Sequence, residues 1–500
     1  MYQTTYEEVV RLNSAGEYKR IPVYKEMLSD FTTPVEVLKK LQNVSSHCFM
    51  LESIEDKAQW GRYTFIGYDP VLELTCIDHK LTIKRKNAKA SMKDETIEEL
   101  EVEHPGVYIR QIIEDNRAPR LKHLPPMSGG LVGYFAYDYI KYSEPSLNLD
   151  AEDVEGFMDV DLMLFDKVIV FDNFRQQLFL IVNIGTDSLP EEFIKAMVTL
   201  KKMEEIIRCG QPKKAEPGRR LSEFRSLFDQ GEYCEKVERA KHYIREGDIF
   251  QVVLSNRLEA DFGGSLLDAY RILRTTNPSP YMFYFSSNDI EMAGASPETL
   301  VKVMDREVST FPLAGTRPRG NTYEHDRELE QELLADEKEL AEHNMLVDLG
   351  RNDLGRICEF GSVNVSKYQS VERFSHVMHI GSTITGKLRE ENTALDAIDA
   401  VLPAGTLSGA PKIRACQIIN ELENNKRGIY GGAIGYLDLT GNMDTCIAIR
   451  LAFKKNGKVF VRSGAGIVAD SVAENEYQEC LNKAKAVLQA LEEAKEVTDI

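Results

Sequence analysis

Three apolar segments near the C-terminus are joined by connections too short to contain a helix. Residues 431–439 (GGAIGYLDL) and 444–453 (DTCIAIRLAF) are close in sequence, and an Asn456-Gly457 turn leads on to residues 458–466 (KVFVRSGAG). Tight turns of this kind join antiparallel strands, whereas parallel strands need long crossovers that usually contain a helix. The pattern therefore predicts an α+β fold with antiparallel sheets rather than a doubly wound α/β fold.

One segment has the composition of a linker. Residues 208–220 (RCGQPKKAEPGRR) are rich in proline, glycine and charge, which is typical of a connection between domains. We therefore predict an N-terminal domain at residues 1–215 and a C-terminal domain at residues 219–500. The hydrophobic periodicity predicts helices at 190–207, 219–245, 322–349 and 471–497, and strands at 248–260 and 444–453.

The composition argues against two classes of partner. The chain has 500 residues and a net charge of −19, and affinity for nucleic acid needs a basic patch, so we expect no nucleic-acid partner. We expect no membrane partner either, because no segment is apolar over the length of a membrane span and the first twenty residues lack a secretory signal. The eight cysteines are scattered without a C-x-x-C pair, which favours a cytoplasmic protein.

Two pairs of glutamates have the spacing of neighbours on one helix face. Glu339 and Glu342 are three residues apart in one predicted helix, and Glu476 and Glu479 repeat that spacing in the last one. Proteins usually hold Mg²⁺ with a few carboxylates. The pattern fits solvated helix faces equally well, since Lys483 lies four residues after Glu479 and could pair with it.

Several further positions could line a pocket. Arg450 lies on the small-residue face of the predicted strand at 444–453, where a carboxylate would have room beside it. Gly464 and Gly466 fall in a predicted strand-to-helix connection that could present backbone N–H groups to an anion. Gln251 is a polar residue in another predicted strand. The alternative for Arg450 is a charge on an exposed strand face. For the two glycines it is a plain turn, and for Gln251 it is an amide within the core.

Seven motifs, in order along the chain, resemble those of the chorismate-utilising enzymes. They are GASPETLVKV (294–303), FPLAGTRPRG (311–320), EHNMLVDLGRND (342–353), HVMHIGSTITG (376–386), PAGTLSGAPKIRA (403–415), YGGAIGYLD (430–438) and SGAGIVADSVAENEYQECLNKA (463–484). Within that family the chain is most similar to component I of the anthranilate synthases, from about Arg219 to the C-terminus and more weakly at residues 49–67. The resemblance implies an α/β sandwich of antiparallel sheets, with helices packed outside and the active site between two layers.

The resemblance assigns roles to both acidic pairs. Glu342 and Glu479 match the family's Mg²⁺ ligands, and Glu339 and Glu476 match carboxylates that reach the metal through water. Glu298 matches the general acid that protonates the departing ring hydroxyl, which is a poor leaving group without a proton.

The remaining matches concern catalysis and contacts to substrate. His379 matches the residue associated with the later loss of pyruvate, and a packed strand histidine is the alternative. Gln251 and Thr406 are further catalytic candidates, although Thr406 could equally belong to a loop before a helix that Ser408 caps. The substrate-binding candidates are Arg450 and Tyr430, at the enolpyruvyl carboxylate, and Gly315, Thr316, Gly464, Gly466 and Lys483.

The implied reaction converts chorismate and ammonia to anthranilate and pyruvate in tryptophan biosynthesis, with Mg²⁺ as cofactor. The amine adds at C2 as the C4 hydroxyl leaves, and loss of pyruvate then aromatises the ring. A glutaminase needs a nucleophilic cysteine at a tight turn, paired with a histidine. The nearest candidate, Cys209 before Gly210, lies in the linker, so we expect a separate glutamine amidotransferase subunit to supply the ammonia.

Two positions separate the nearest members of the family. Isochorismate and salicylate synthases carry lysine at the position of Gln251, where it activates water, and glutamine has no basic nitrogen. Aminodeoxychorismate synthases carry lysine in the loop that here reads PLAGT (312–316), where Ala314 offers no nucleophile. Aminodeoxychorismate synthase component I is the alternative function, and a silent homologue that only regulates a partner is disfavoured by the intact site residues.

The resemblance also implies a second site. Residues 51–53 (LES) and 277–285 (NPSPYMFYF) are similar to the family's feedback site for L-tryptophan, with Met50 where the family usually has leucine. Glu52 could take the ammonium group of the amino acid, and a structural turn against a strand is the alternative. The predicted feedback residues are Glu52, Ser53, Pro280, Tyr281, Met282 and Cys446.

Overall fold

The computed structural model describes residues 3–14, 16–53, 61–86, 95–214, 216–374 and 377–497. The strands are β1 (Arg20–Leu28), β2 (Cys48–Glu52), β3 (Tyr63–Tyr68), β4 (Leu72–Ile77), β5 (Lys80–Lys86), β6 (Glu95–Glu101), β7 (Gly130–Phe135), β8 (Val160–Phe165), β9 (Lys167–Asp172), β10 (Gln177–Gly185), β11 (Arg219–Arg220), β12 (Arg225–Ser226), β13 (Gln251–Gly263), β14 (Tyr281–Ser286), β15 (Glu291–Ser296), β16 (Thr299–Met304), β17 (Glu307–Thr310), β18 (Leu313–Pro318), β19 (Asn364–Arg373), β20 (Val377–Lys387), β21 (Gly409–Ala410), β22 (Ala433–Asp438), β23 (Met443–Ile447), β24 (Leu451–Lys455) and β25 (Lys458–Ile467).

The helices pack on these strands. They are α1 (Tyr6–Asn13), α2 (Pro34–Gln42), α3 (Gly106–Glu114), α4 (Ile140–Ser143), α5 (Leu189–Cys209), α6 (Gln230–Arg245), α7 (Leu267–Thr276), α8 (Tyr323–Ala335), α9 (Glu337–Gly355), α10 (Ala394–Val401), α11 (Lys412–Glu423) and α12 (Ala473–Glu493), with short 3-10 helices at Tyr137–Tyr139, Gly405–Leu407 and Ala494–Glu496. Within the described ranges, none of these helices has the length and apolar character needed to cross a membrane.

The strands form two large sheets, and every strand pair within them is antiparallel. One sheet runs β1-β10-β9-β3-β2-β14-β15-β24-β25-β13-β11, with β12 and β21 also on β13. The other runs β18-β20-β17-β16-β23-β22-β7-β8-β4-β5-β6, with β19 also on β20. The α+β fold and the antiparallel sheets that the sequence predicts are therefore confirmed.

The two sheets face each other across an aromatic core. Phe49 and Phe283 from the first sheet lie in the same buried cluster as Val132 and Ile434 from the second. Helices α2, α5, α7 and α12 pack on the outer face of the first sheet, while α3, α9 and α10 cover the second. This is a sandwich of two sheets with helices outside.

Both sheets contain strands from either side of the predicted boundary near residue 215. The first sheet pairs β2 with β14, and the second pairs β7 with β22. The division of the chain into residues 1–215 and 219–500 stays a prediction about segments, because each segment contributes to both sheets.

The predicted strand at 444–453 is wrong in one respect that matters for the site. Strand β23 ends at Ile447 in the second sheet, and β24 begins at Leu451 in the first. The chain crosses between the sheets at residues 448–450, where Arg450 has a left-handed backbone with a φ of 52°. Alternating hydrophobicity cannot reveal this change of sheet, because both segments have a buried face.

Three predicted element boundaries also need correction. The predicted helix at 322–349 is two helices, because the side chain of Asp336 accepts hydrogen bonds from the backbone N–H groups of Lys338 and Glu339 and starts α9. The helix predicted at 219–245 begins only at Gln230, where Asp229 and Glu232 form a capping box. The predicted strand at 248–260 runs from Gln251 to Gly263. The helices predicted at 190–207 and 471–497 are α5 and α12, the latter with its 3-10 extension.

Candidate active site

A cavity of about 550 Å³ lies where the two sheets meet α9 and α12. Its walls include all fifteen residues predicted as catalytic, substrate-binding or metal-binding: Gln251, Glu298, Gly315, Thr316, Glu339, Glu342, His379, Thr406, Tyr430, Arg450, Gly464, Gly466, Glu476, Glu479 and Lys483. Residues that are far apart in sequence thus come together around one space, while the role of each stays a prediction.

Glu298 is a buried acid in the short connection between β15 and β16. The hydroxyl of Thr406 donates to its carboxylate, with Oγ1 lying 3.3 Å from Oε1. Burial raises the pKa of Glu298 to about 8, although Arg450 and Lys483 oppose the shift. At neutral pH this carboxyl is therefore mostly protonated and can donate a proton to a ligand in the cavity.

His379 lies on β20 as a neutral ring. Its Nδ1 is 2.8 Å from the carbonyl oxygen of Gly315 and 3.1 Å from Oγ1 of Thr316. Burial lowers the pKa of His379 to about 4. Because a carbonyl oxygen only accepts, Nδ1 carries the ring proton and Nε2 is left as an acceptor. The histidine can therefore remove a proton through Nε2.

Two of the predicted substrate-binding residues in the cavity wall are cations. Arg450 belongs to the crossing between the sheets, where its backbone carbonyl accepts from the N–H of Ala295 at 3.1 Å. Lys483 on α12 donates to the carbonyl of Gly464 at 3.0 Å and pairs with Glu479 at 2.7 Å. These positive groups supply local attraction for an anion in a chain of strongly negative net charge.

Gly464 and Gly466 are not in a strand-to-helix connection, so the predicted location is wrong, while their contact with an anionic substrate stays a prediction. The two glycines lie inside β25 and pair with Ser255 and Val253 on β13. A Cβ on Gly464 would lie 3.0 Å from the hydroxyl of Tyr430, and one on Gly466 would lie 2.7 Å from Nε2 of Gln251. The glycines leave room for these two side chains.

Gln251 at the start of β13 is held by one end of its amide. Its Nε2 donates to Oε1 of Glu342 at 3.1 Å. Its Oε1 is buried and has no hydrogen-bond partner within the described part of the chain. Buried acceptors of this kind are uncommon in folded proteins, and this one lies at the wall of a cavity, where a ligand can satisfy it.

The two acidic pairs face the same cavity from α9 and α12. Burial and the neighbouring Glu342 raise the pKa of Glu339, and burial and the neighbouring Glu479 contribute to the raised pKa of Glu476. Over the residues that the structure describes, no three acidic, histidine or cysteine side chains are close enough together to hold a metal ion. The pairs supply only oxygen donors, the type that Mg²⁺ prefers.

The cavity has charged walls that the sequence did not single out. Lys338 lines it directly beside Glu339, and the adjacency was visible in the sequence. Arg462 lines it from β25, donating to Oγ of Ser255 at 2.8 Å and to the carboxylate of Glu423 at 2.7 Å. No local sequence signal indicates this pair, because its members are 39 residues apart.

A second cavity, of about 300 Å³, lies between β2, β14, β22 and β23. All six predicted feedback residues line it: Glu52, Ser53, Pro280, Tyr281, Met282 and Cys446. The carboxylate of Glu52 already accepts from Nε of Arg274 at 2.7 Å and from the hydroxyl of Tyr270. Asp444 brings a further carboxylate to the same space and accepts from the hydroxyl of Tyr281 at 2.8 Å.

Comparison with known proteins identifies the family of the chain. The family described as chorismate binding enzyme matches residues 47–489. Anthranilate synthase component 1 of Acetivibrio thermocellus is 44% identical, over 99% of this chain and 100% of that protein.

Two solved structures are similar to the chain. The crystal structure of anthranilate synthase component I from Streptococcus pneumoniae has a TM-score of 0.75 and 40% identity, covering 87% of this chain and 93% of that one. The menaquinone-specific isochorismate synthase of Escherichia coli has a TM-score of 0.69, covering 97% of this chain and 98% of that one. At 20% identity, the second similarity concerns the fold alone.

Proposed function

Since the chain belongs to the chorismate binding enzymes and, within them, to the anthranilate synthases of component 1, we propose that it converts chorismate and ammonia to anthranilate and pyruvate. It is a chorismate-utilising lyase. The observation that carries the reaction is the buried Glu298, whose pKa burial raises to about 8, in a cavity that also contains Arg450 and Lys483. That combination binds a carboxylate substrate and supplies a proton to a leaving group.

The first step needs an acid. Hydroxide is a poor leaving group, so the ring hydroxyl departs as water when Glu298 donates its proton to the oxygen. Thr406 fixes the carboxyl through its hydrogen bond, and burial keeps it protonated until the substrate is bound. Arg450, Tyr430 and Lys483 hold the carboxylate groups that orient the ring.

Gln251 favours ammonia as the nucleophile. With Nε2 engaged by Glu342, its free Oε1 can accept a hydrogen bond from an N–H of ammonia. The amide cannot remove a proton from water, and Ala314 cannot attack the ring. The alternative of an aminodeoxychorismate synthase is not favoured, since the full-length relatives are anthranilate synthases.

The second step needs a base. Aromatisation removes the ring hydrogen at the carbon that carries the new amine, and the enolpyruvyl group leaves as pyruvate. The neutral ring of His379 has Nε2 available to take that proton, because Gly315 fixes Nδ1 as the protonated nitrogen.

Mg²⁺ fits the acidic pairs as a cofactor. Glu342 and Glu479 would hold it directly, and Glu339 and Glu476 through water. The fit rests on the oxygen-only donors and on the raised pKa values of Glu339 and Glu476, to which the neighbouring carboxylates contribute and which a cation between them would relieve. When bound, the ion would position and polarise a substrate carboxylate.

A separate glutamine amidotransferase subunit would supply the ammonia. The name component 1, which the relatives carry, implies a second component. All eight cysteines lie in the described ranges, where Cys209 at the end of α5 is exposed and the others are buried or partly buried. Free, mostly buried thiols also fit a cytoplasmic setting. Glutamine-dependent activity of this chain alone would contradict the need for a partner.

The second cavity would bind L-tryptophan as a feedback inhibitor of tryptophan biosynthesis. Its volume of about 300 Å³ is sufficient for an amino acid of this size. Tyr281, Met282 and Phe283 supply an apolar wall, while Glu52 and Asp444 supply carboxylates for an ammonium group, which would share them with Arg274 and Lys302.

The decisive experiment is analysis of the products made from chorismate, ammonium and Mg²⁺. Fluorescence of anthranilate, followed by chromatography, should show anthranilate and stoichiometric pyruvate. Isochorismate, salicylate or 4-amino-4-deoxychorismate as the main product would contradict the proposal.

A further inference from the structure

Arg427 is a buried cation in the connection that follows α11. Its side chain is 1% exposed, and so is that of Glu423, the carboxylate with which it pairs. Burying a charge is unfavourable unless the charge is paired and its hydrogen bonds are made, so a buried arginine usually has partners for its donors. Those partners identify the parts of the fold that the guanidinium holds together.

The guanidinium binds two backbone carbonyls in the wall of the catalytic cavity. Its Nη1 donates to the carbonyl of Leu407 at 2.6 Å, and its Nη2 donates to that of Val253 at 2.7 Å. Leu407 and Val253 both line the cavity. Leu407 directly follows Thr406 in the short 3-10 helix, and Val253 lies on β13. Arg427 therefore joins the turn that contains Thr406 to the strand beside it.

Arg427 is itself fixed in position. Its Nε donates to Oε2 of Glu423 at 2.9 Å, and its guanidinium carbon lies 4.5 Å from the centre of the Tyr137 ring. Glu423 is fixed in turn, because it also accepts from the backbone N–H of Ser255 at 2.7 Å and from Nη2 of Arg462 at 2.7 Å. The guanidinium is thus held at its edge and on its face, which suits it to fix the carbonyls that it binds.

The hydrogen bond between Thr406 and Glu298 depends on the position of this turn. Oγ1 of Thr406 lies 3.3 Å from Oε1 of Glu298 and 3.4 Å from Oε2. Both distances are near the upper limit for a hydrogen bond, so a small displacement of the turn away from Glu298 would break the contact. The carbonyl of Leu407, next to Thr406, is the atom of the turn that Arg427 holds.

We propose that Arg427 is a positioning residue, which keeps Thr406 within hydrogen-bond reach of Glu298 by binding the carbonyl of Leu407. It does not line the catalytic cavity, so it acts through these residues rather than on the substrate. The consequence for catalysis rests on the proposed function, in which Glu298 is the acid, whereas the contact itself can be measured without turnover.

The test combines three variants with a matched control. Arg427→Lys keeps the charge, but an ammonium cannot bind Glu423 and both carbonyls in the geometry of a guanidinium. Thr406→Val removes the hydroxyl, and the third variant carries both changes. Arg257→Lys is the control, since Arg257 is also a buried arginine, pairs with Glu155 at 3.0 Å and does not line the cavity.

The readout is the pKa of Glu298, measured by infrared titration of its carboxyl band, which is identified by its absence in Glu298→Gln. A hydroxyl that donates to a carboxylate favours the charged form, so loss of the Thr406 contact should raise this pKa. We expect a rise of about half a unit to one unit in Arg427→Lys and in Thr406→Val, no further rise in the double variant, and no change in Arg257→Lys. With chorismate and ammonium, kcat should fall about 10- to 100-fold in the first three variants, and its alkaline decline should move to higher pH.

The other groups around Glu298 are the same in all of these proteins. Arg450 and Lys483 are the cations that act on it, and the backbone N–H of Leu313 lies 3.5 Å from its Oε1. His379 and the acidic pairs line the catalytic cavity with it, and Asp353 lines a smaller space of about 30 Å³ with it. Arg427→Lys changes none of these side chains, so a change in the pKa reports on the position of Thr406.

An unchanged pKa of Glu298 in folded Arg427→Lys would overturn the positioning role. Rises that add up in the double variant would overturn it as well, because Arg427 would then act by another route than Thr406. The expected pKa values in a protein that forms no anthranilate would overturn the proposed function alone.

A second variant decides the question if circular dichroism shows that Arg427→Lys does not fold. Tyr137→Leu removes the ring that lies against the guanidinium and keeps the hydrogen-bond partners of Arg427. A smaller rise in the pKa of Glu298 would support the positioning role, and a folded Tyr137→Leu with the pKa of the wild type would refute it.

Discussion

Gln251 donates its side-chain amide to Glu342 across 3.1 Å, which joins the position that selects the nucleophile to one of the predicted metal ligands. The bond fixes which end of the amide faces the cavity. The bond joins β13 to α9, so a substitution of Gln251 will also remove a hydrogen bond that Glu342 accepts.

Replacing Gln251 should change the product. Gln251→Lys places a basic nitrogen beside Glu342, and the neutral fraction of that amine can activate water. We expect anthranilate formation to fall about tenfold or more and hydroxylated product to appear, measured by chromatography. Gln251→Met, which has neither acceptor nor base, is the control: it should lose anthranilate formation without gaining the hydroxylated product. Identical products from the two variants would contradict the role of the amide.

Replacing Glu298 should remove the acid without emptying the site. Glu298→Gln keeps the shape and should lower kcat by about 10²- to 10⁴-fold with a smaller effect on KM. The active form is protonated and its pKa is about 8, so the wild-type kcat should fall as pH rises through that value. A pH–rate profile would check this, and the residual activity of the variant should lack the alkaline decline. A decline that persists unchanged in Glu298→Gln would assign it to another group.

The two members of each acidic pair should differ in how strongly they affect the Mg²⁺ concentration that the enzyme needs. Glu342→Gln and Glu479→Gln should raise the Mg²⁺ concentration for half-maximal rate by more than about 100-fold, while Glu339→Gln and Glu476→Gln should raise it by about 10- to 100-fold, as outer groups do. Glu474→Gln is the control on α12, the helix of Glu476 and Glu479, since Glu474 is exposed and does not line the cavity. Near wild-type Mg²⁺ dependence of Glu342→Gln would remove it from the ligand set.

The second cavity should respond to L-tryptophan. We expect L-tryptophan to inhibit the wild type, and Glu52→Ala to weaken the inhibition by about tenfold or more while leaving the uninhibited kcat unchanged, because Glu52 lies outside the catalytic cavity. Inhibition curves at fixed chorismate would measure this. Activity that is insensitive to tryptophan in the wild type would show that the cavity is not regulatory.

The motifs predicted which residues share the site better than they predicted its construction. The spacing of Glu339, Glu342, Glu476 and Glu479 placed two pairs on two helix faces, and the structure turns both faces to one cavity. Asp336 illustrates what was hidden: it is an N-cap followed by Glu339, but it lies within a charged run that is helical on both sides. The glycines of β25 were misplaced because glycine indicates a turn and a close approach of side chains equally well.

The small space that Glu298, Thr310 and Asp353 line has no signature in the sequence. Its lining residues come from β16, β17, α9, the end of α10, residues 404–406 and the end of β23, with Glu298 and Pro312 from connections, and each is unremarkable within its own segment. Spaces of this kind result from how elements meet, and short-range patterns carry no information about that.

The crossing at residues 448–450 also works as a short mechanical tether. Three residues reach at most about 10 Å when fully extended, so the two sheets cannot slide far past each other here without pulling on this connection. Cys446, on one side of it, lines the second cavity, and Arg450, at its other end, lines the catalytic one. A ligand that displaces β23 would therefore also displace the guanidinium of Arg450, whereas a long loop would let the two move independently.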